Sequence, residues 1–196
     1  MAAHGFAELA AQSNFSFLHG ASHPQEMVET AAAFGYRAIG LADRNTLAGV
    51  VRGHIAAREA GVRYLPGARL VTQCGFEVIA YPSDRAAYGA LSQCLTQANR
   101  RGAKGQCLLT IDDVLGLARH ASLCWLAVPP LRLEPRFGET LGQLTAATRH
   151  VYALLVPLYG ADDKKRFGEI AALADWAGAA LLAGFDPLYH APERRP

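Results

Sequence analysis

The sequence has almost no imbalance of charge: 19 lysines and arginines face 17 aspartates and glutamates, for a net charge of +2 over 196 residues. Tight nucleic-acid binding draws on a basic excess that neutralises phosphates, so weak or no DNA binding is expected of this chain alone. There is no CxxC pair. Cys74, Cys94, Cys107 and Cys124 lie 20, 13 and 17 residues apart, which excludes a zinc ribbon and matches no small secreted disulfide scaffold. Free thiols in a reducing cytoplasm are the expectation. No 18-residue stretch lacks both charges and breakers, and MAAHGFAELAAQ has no basic segment followed by a long apolar run. Neither a membrane span nor a signal peptide is therefore expected, and the expected location is cytoplasmic. Also missing are a GxxxxGK[ST] loop, a GxSxG elbow and an HExxH helix, so those enzyme classes lack support.

What is present suits one globular domain over residues 1–196. Half of the residues are hydrophobic and 18% are charged, which is ordinary globular usage and enough for a real core. Apolar periodicity predicts a strand over 6–12, a helix over 25–34 opened by Pro24 and stopped by Gly35, and a buried strand over 37–42 ending at Asp43. A helix over 46–60 and a strand over 62–65, resuming toward 71 after an interruption at Pro66-Gly67, complete a strand–helix alternation that implies a parallel sheet. Further strands are predicted over 76–81, 123–128, 151–157 and 179–183, and helices over 84–99, 111–118 and 162–177. The segment 129–136, rich in Pro, Leu and Arg, reads as a loop. Seven strands favour a closed or nearly closed α/β barrel, whose chemistry would sit at the C-terminal strand ends.

Those strand ends carry specific text. SNFSFL-GASHP, AAAFGYRAIGLAD-NTLAGVVR and AAREAGVRYLPG, with ADWAGAALLAGFDPLYHAPERRP near the end, resemble the polymerase and histidinol phosphatase (PHP) domain of bacterial C-family DNA polymerases. The likeness is nearest to the damage-inducible, error-prone branch. It implies an α/β fold of the PHP type, a distorted (β/α)7 barrel, and it covers 6–81 and 150–196 well and 82–149 loosely. PHP phosphoesterases hold two or three metal ions with histidines and carboxylates, which activate water and clamp phosphate.

Carried over position by position, that ligand set is mostly gone. The two histidines of the first strand correspond to Ala10 and Gln12, and the loop aspartate to His19. In the TDH-type turn Asp43 persists but the histidine is Arg44. The glutamate after the third strand is Arg69. Asp186 persists near the last strand, while its neighbouring histidine is Leu188. Two further ligands align near Gly75 and Pro129. A guanidinium cannot lose its proton and repels a divalent cation, so the expectation is a degenerate metal site with no metal and no catalytic residue. Arg44 and Arg69 are expected to pair with Asp43 and Asp186, Asp43 also capping the next helix. His190 reads as a surface group. Arg100, Arg101 and Lys104 form the one basic turn suited to a phosphate contact.

The resemblance implies a catalytically inactive structural module of an error-prone polymerase that copies damaged templates. Its partner would be the rest of that chain, the palm and thumb, where the magnesium ions of nucleotide transfer would bind; no cofactor is expected in this segment. Two alternatives stay open. One is a residual metal-dependent phosphoesterase or 3′–5′ exonuclease built on His19, Asp43, Asp186 and His190. The other is a docking platform for other translesion-synthesis proteins, with Leu131, Leu133 and Phe137 as first suspects.

Overall fold

The structure is a computed structural model that describes residues 5–195. The chain divides into two compact units, one running up to Arg69 and resuming at Gly184, the other comprising Leu70–Ala183. The class is α/β, as the alternation of patterns predicts.

In the first unit, β1 (Ala7–Ala11), α1 (Pro24–Ala33), β2 (Ala38–Arg44), α2 (Val50–Ala60) and β3 (Arg63–Val71) alternate. β1 pairs with β2, and β2 with β3, all parallel. The apolar run of β2 is buried from Ala38 to Asp43, as a strand covered on both faces must be. Met27, Val28 and Ala31 of α1 meet Ala56 and Ala57 of α2 over Ile39 and Leu41. At Gly53 a Cβ would come within 2.7 Å of the Tyr64 hydroxyl, so this glycine lets the ring lie against α2. The β1–β2 register slips between Glu8 and Ala11. Such a bulge takes backbone groups out of the ladder, and here the Ala10 N–H donates instead to Glu8 Oε1 at 2.7 Å.

Two expectations shift in this unit. α2 begins at Val50, with Gly49 as its N-cap, four residues later than the pattern suggests. The intervening turn carries Asn45 at φ +52°, outside helical geometry. β3 runs unbroken through Pro66-Gly67.

In the second unit, β4 (Glu77–Pro82), α3 (Arg85–Arg101), α4 (Ile111–His120), β5 (Leu123–Val128), α5 (Pro135–Ala147), β6 (Val151–Leu155), α6 (Asp163–Ala177) and β7 (Ala180–Ala183) follow in order. β5, β6 and β7 are parallel, but β4 runs antiparallel to β5. The physical reason is the connection: two successive helices, α3 and α4, bring the chain back to the end of the sheet where β4 finishes, so that Leu123 starts β5 beside Pro82, whereas one crossover helix would carry it to the other end and keep strands parallel. Trp125, Leu126, Leu141, Leu144, Leu154 and Ile170 are fully buried. Asp84 caps α3 through the Ala87 N–H, and Thr110 caps α4.

α5 corrects the reading of 129–136 as a loop, for the helix starts at Pro135 and no element is expected beyond it. Phe137, Leu141 and Leu144 are buried at helical spacing. Two glycines mask the pattern, and packing explains them. Gly138 and Gly142 lie under the ring of Trp176 from α6, and a Cβ at Gly138 would sit 2.9 Å from Leu173 Cδ2. Close helix approach outweighs their poor propensity.

Candidate functional site

Eight of the positions to which the resemblance assigns metal ligands, kept or replaced, fall in the first unit, while Gly75 and Pro129 belong to the second. Ala10 lies within β1 and Gln12 just beyond it. His19 lies in the loop that follows. Asp43 and Arg44 end β2, Arg69 lies in β3, and Asp186 and Leu188 belong to the segment after Gly184. The structure joins some of them directly and leaves others apart.

Arg69, Asp186 and Gln12 form one network. Arg69 Nη2 donates to Asp186 Oδ1 at 2.5 Å, and Gln12 Nε2 donates to the same oxygen at 3.1 Å. Arg69 Nη2 also lies 3.5 Å from the carbonyl of Ala10. Arg69, Gln12 and Ala10 are buried, while the Asp186 side chain is about one-fifth exposed. Asp186 holds φ at +50°, an uncommon conformation for a residue with a side chain. The pairing expected of Arg69 with Asp186 is thus present.

Asp43 takes a different course. Its carboxylate accepts from Ser13 N at 2.7 Å, Ser13 Oγ at 2.8 Å and Ser16 Oγ at 2.8 Å. It caps the loop after β1 rather than the helix after β2, since the N-cap of α2 is Gly49, six residues beyond Asp43. The Arg44 N–H donates to Ser16 Oγ at 3.1 Å, so the end of β2 grips the same loop twice. His19 is exposed at that loop, and Leu188 contributes its carbonyl, which accepts from Ala21 N at 2.8 Å. His190 departs from its expected place at the surface. It is half-buried, its Nδ1 lies 2.8 Å from Ser22 Oγ, and its N–H donates to that oxygen at 2.9 Å.

Glu8 is the site residue that the motif comparison does not reveal. It is buried, accepts from Ala10 N and from Phe185 N, and lies near enough to Asp186 to feel its charge. Burial pushes its carboxyl above the ordinary range and Asp186 adds to this, while backbone donors at Phe185, Ala10 and Leu9 pull the other way. A charged residue two positions before Ala10, on one face of an otherwise apolar strand, is the signal that points to it.

Charge decides what this arrangement can hold. A divalent cation needs several anionic or imidazole donors facing one point. Among the described residues, no three His, Cys, Asp or Glu side chains converge in that way. A permanent guanidinium against Asp186 opposes a cation there, and the Gln12 amide is a weak ligand. The donor set does not fit the metals of PHP phosphoesterases. The four residues proposed for a residual phosphoesterase are dispersed in function: His19 is exposed, His190 bonds Ser22, Asp43 binds serines and Asp186 binds Arg69.

In the second unit the basic turn is partly committed. Arg101 makes a bidentate pair with Asp113, at 2.5 and 2.7 Å, so its fork is taken up by α4. Arg100 and Lys104 are exposed. The Arg101 guanidinium, with help from Thr110, holds the Asp113 carboxyl down at about 2 against its ordinary 3.8. A carboxyl lowered by folding stabilises the fold above its unfolded value, and that contribution is lost as pH falls toward the folded one. Asp113→Asn is therefore expected to be less stable than the parent near neutral pH. The gap should close between about pH 4 and pH 2, as urea unfolding at stepped pH would show. The four cysteines are free and half-buried, and burial raises Cys94 to about 11. Among the suspected docking residues Leu131 is exposed, but Phe137 is buried against Phe76 at 5.7 Å between ring centres.

The PHP domain family model matches residues 8–161. The chain belongs to the PHP family. Within the family, the error-prone DNA polymerase of Brucella abortus is 45% identical over 196 residues, covering 96% of this chain and 18% of its own length. That of Caulobacter vibrioides is 42% identical over 193 residues, covering 97% and 18%. This PHP domain thus spans less than a fifth of the curated relatives it matches. Among solved structures, a putative metal-dependent phosphoesterase from Bifidobacterium adolescentis has a TM-score of 0.71 at 15% identity, covering 98% of this chain and 90% of its own. An amidohydrolase from Chromobacterium violaceum, solved with sulfate and no metal, has a TM-score of 0.70 at 16% identity, covering 94% and 88%. At such identities these two establish the PHP fold alone. Among the described residues, no helix is long and apolar enough to cross a membrane.

Proposed function

We propose that this PHP domain is a structural module of an error-prone DNA polymerase and neither binds catalytic metal nor cleaves phosphate esters. The observation that carries the reading is the Arg69–Asp186–Gln12 network. It occupies three positions to which the PHP resemblance assigns metal ligands. Where metal ions would balance carboxylates, a guanidinium balances Asp186, and serine hydroxyls and an amide surround Asp43. Bare carboxylates at a former metal site would otherwise repel one another. The named relatives, error-prone polymerases some five times as long, support a parent chain that supplies the palm, its magnesium ions and the copying of damaged templates. Loss of phosphoesterase chemistry suits a polymerase that tolerates mismatches.

Metal content tests the reading. Protein purified without chelator and soaked in zinc and manganese is expected to retain less than about a tenth of an equivalent by mass spectrometry. One equivalent or more, lost in Asp43→Ala, would sink it and return the residual phosphoesterase to consideration.

A further inference from the structure

The loop after β1 is more rigid than a vestige requires. Asn14 N donates to Ser22 O at 2.7 Å, Ser16 N to Ser13 O at 2.9 Å, and His19 N and Gly20 N both to Ser16 O at 2.9 Å. Asp43 clamps Ser13 and Ser16 from β2. This scaffold holds two large apolar side chains in water: Phe17 is 81% exposed and Leu18 is 88% exposed. Leu18 is also held at φ +63°. A strained, water-facing leucine persists only where the surroundings over-determine it, and such strain gathers at binding sites.

We infer that Phe17 and Leu18 are an anchor that seats this domain in an apolar cleft of the longer polymerase chain. The inference rests on the reading of the domain as a module of such a chain. Two observations choose the occupant. The named relatives devote more than four-fifths of their length to other parts, so a covering surface is covalently at hand. The two tip side chains carry neither charge nor hydrogen-bonding group, and the chain is nearly neutral; a nucleic-acid strand would call for a cationic groove beside stacking rings. Rigid apolar anchors bind well because little freedom is left to lose. The role of the loop then passes from holding a metal to holding a neighbour.

Hydroxyl-radical footprinting read by mass spectrometry tests this, comparing the 196-residue chain with the intact polymerase that carries it. Oxidation at Phe17 and Leu18 is expected to be at least about tenfold slower in the intact chain, because a seated anchor is ringed by contacts that exclude water. Phe17→Ser/Leu18→Ser should leave the melting temperature of the 196-residue chain within about 1 °C, as both side chains are already in water. In the intact polymerase the same variant should restore rapid oxidation at the exposed His19. Equal rates at the tip, with slowing confined to other surfaces such as Phe34 and Phe185, would overturn the anchor and keep the structural module. No slowing anywhere would overturn both. Slow oxidation already present in the 196-residue chain, and lost on dilution, would assign the tip to a second copy and overturn the inference.

Discussion

Gly20→Ala is expected to lower stability by about 3 kcal/mol, read as a shift in the urea midpoint. A Cβ at this position would lie 1.9 Å from the carbonyl oxygen of Ser13 and 2.5 Å from its carbon. Those atoms are backbone and cannot rotate aside. Relief requires moving the turn at Ser13, and that turn is held by the Asp43 carboxylate. Gly89→Ala is the control. It lies exposed within α3 with nothing near its would-be Cβ, so the gain in helix propensity should stabilise the chain by about 0.5–1 kcal/mol. If both substitutions proved equally mild, the loop would be far more plastic than its geometry implies.

The second large effect is expected at the Arg69–Asp186 pair. Asp186→Ala takes a carboxylate away from a buried guanidinium and should cost about 3 kcal/mol, since removing one partner of a buried ion pair leaves charge uncompensated. Arg69→Met keeps much of the apolar stem, and the remaining Asp186 can reach water. It should cost less, about 2 kcal/mol. Combining Arg69→Met with Asp186→Ala should cost clearly less than the sum, leaving a coupling of about 2 kcal/mol in the double-mutant cycle. Strict additivity would mean that the two side chains do not act as a pair and would remove the support that the network gives to the structural reading.

The alternation of apolar runs locates all seven strands, because buried strands read the same whether their neighbours are parallel or not. That same insensitivity hides the antiparallel pairing of β4 with β5, a property of the connection and not of either strand. α5 escapes for another reason. Its glycines serve the contact with Leu173 and Trp176, and such a partner is invisible in a local window. At the site, motif positions place Arg69 opposite Asp186 correctly, since charge complementarity is legible residue by residue. The serine cage around Asp43 is not legible in that way. Ser13 and Ser16 look like ordinary loop residues until β2 is brought against them. Glu8 and His190 are misjudged or missed for a similar reason, as their partners are a bulge N–H, Phe185 N and Ser22, all fixed by tertiary geometry.

The placement of the tryptophans has a spectroscopic consequence. The chain has two, Trp125 wholly buried in β5 and Trp176 about 69% exposed on α6, and both lie in the unit spanning Leu70–Ala183. Their emission will report melting of that unit and stay nearly silent about the Arg69–Asp186–Gln12 network. Far-ultraviolet circular dichroism sees the helices of both units. A mismatch between the two signals in the Gly20 or Arg69 variants would reveal the unit that holds Asp43 and Asp186 loosening while the other still glows as native.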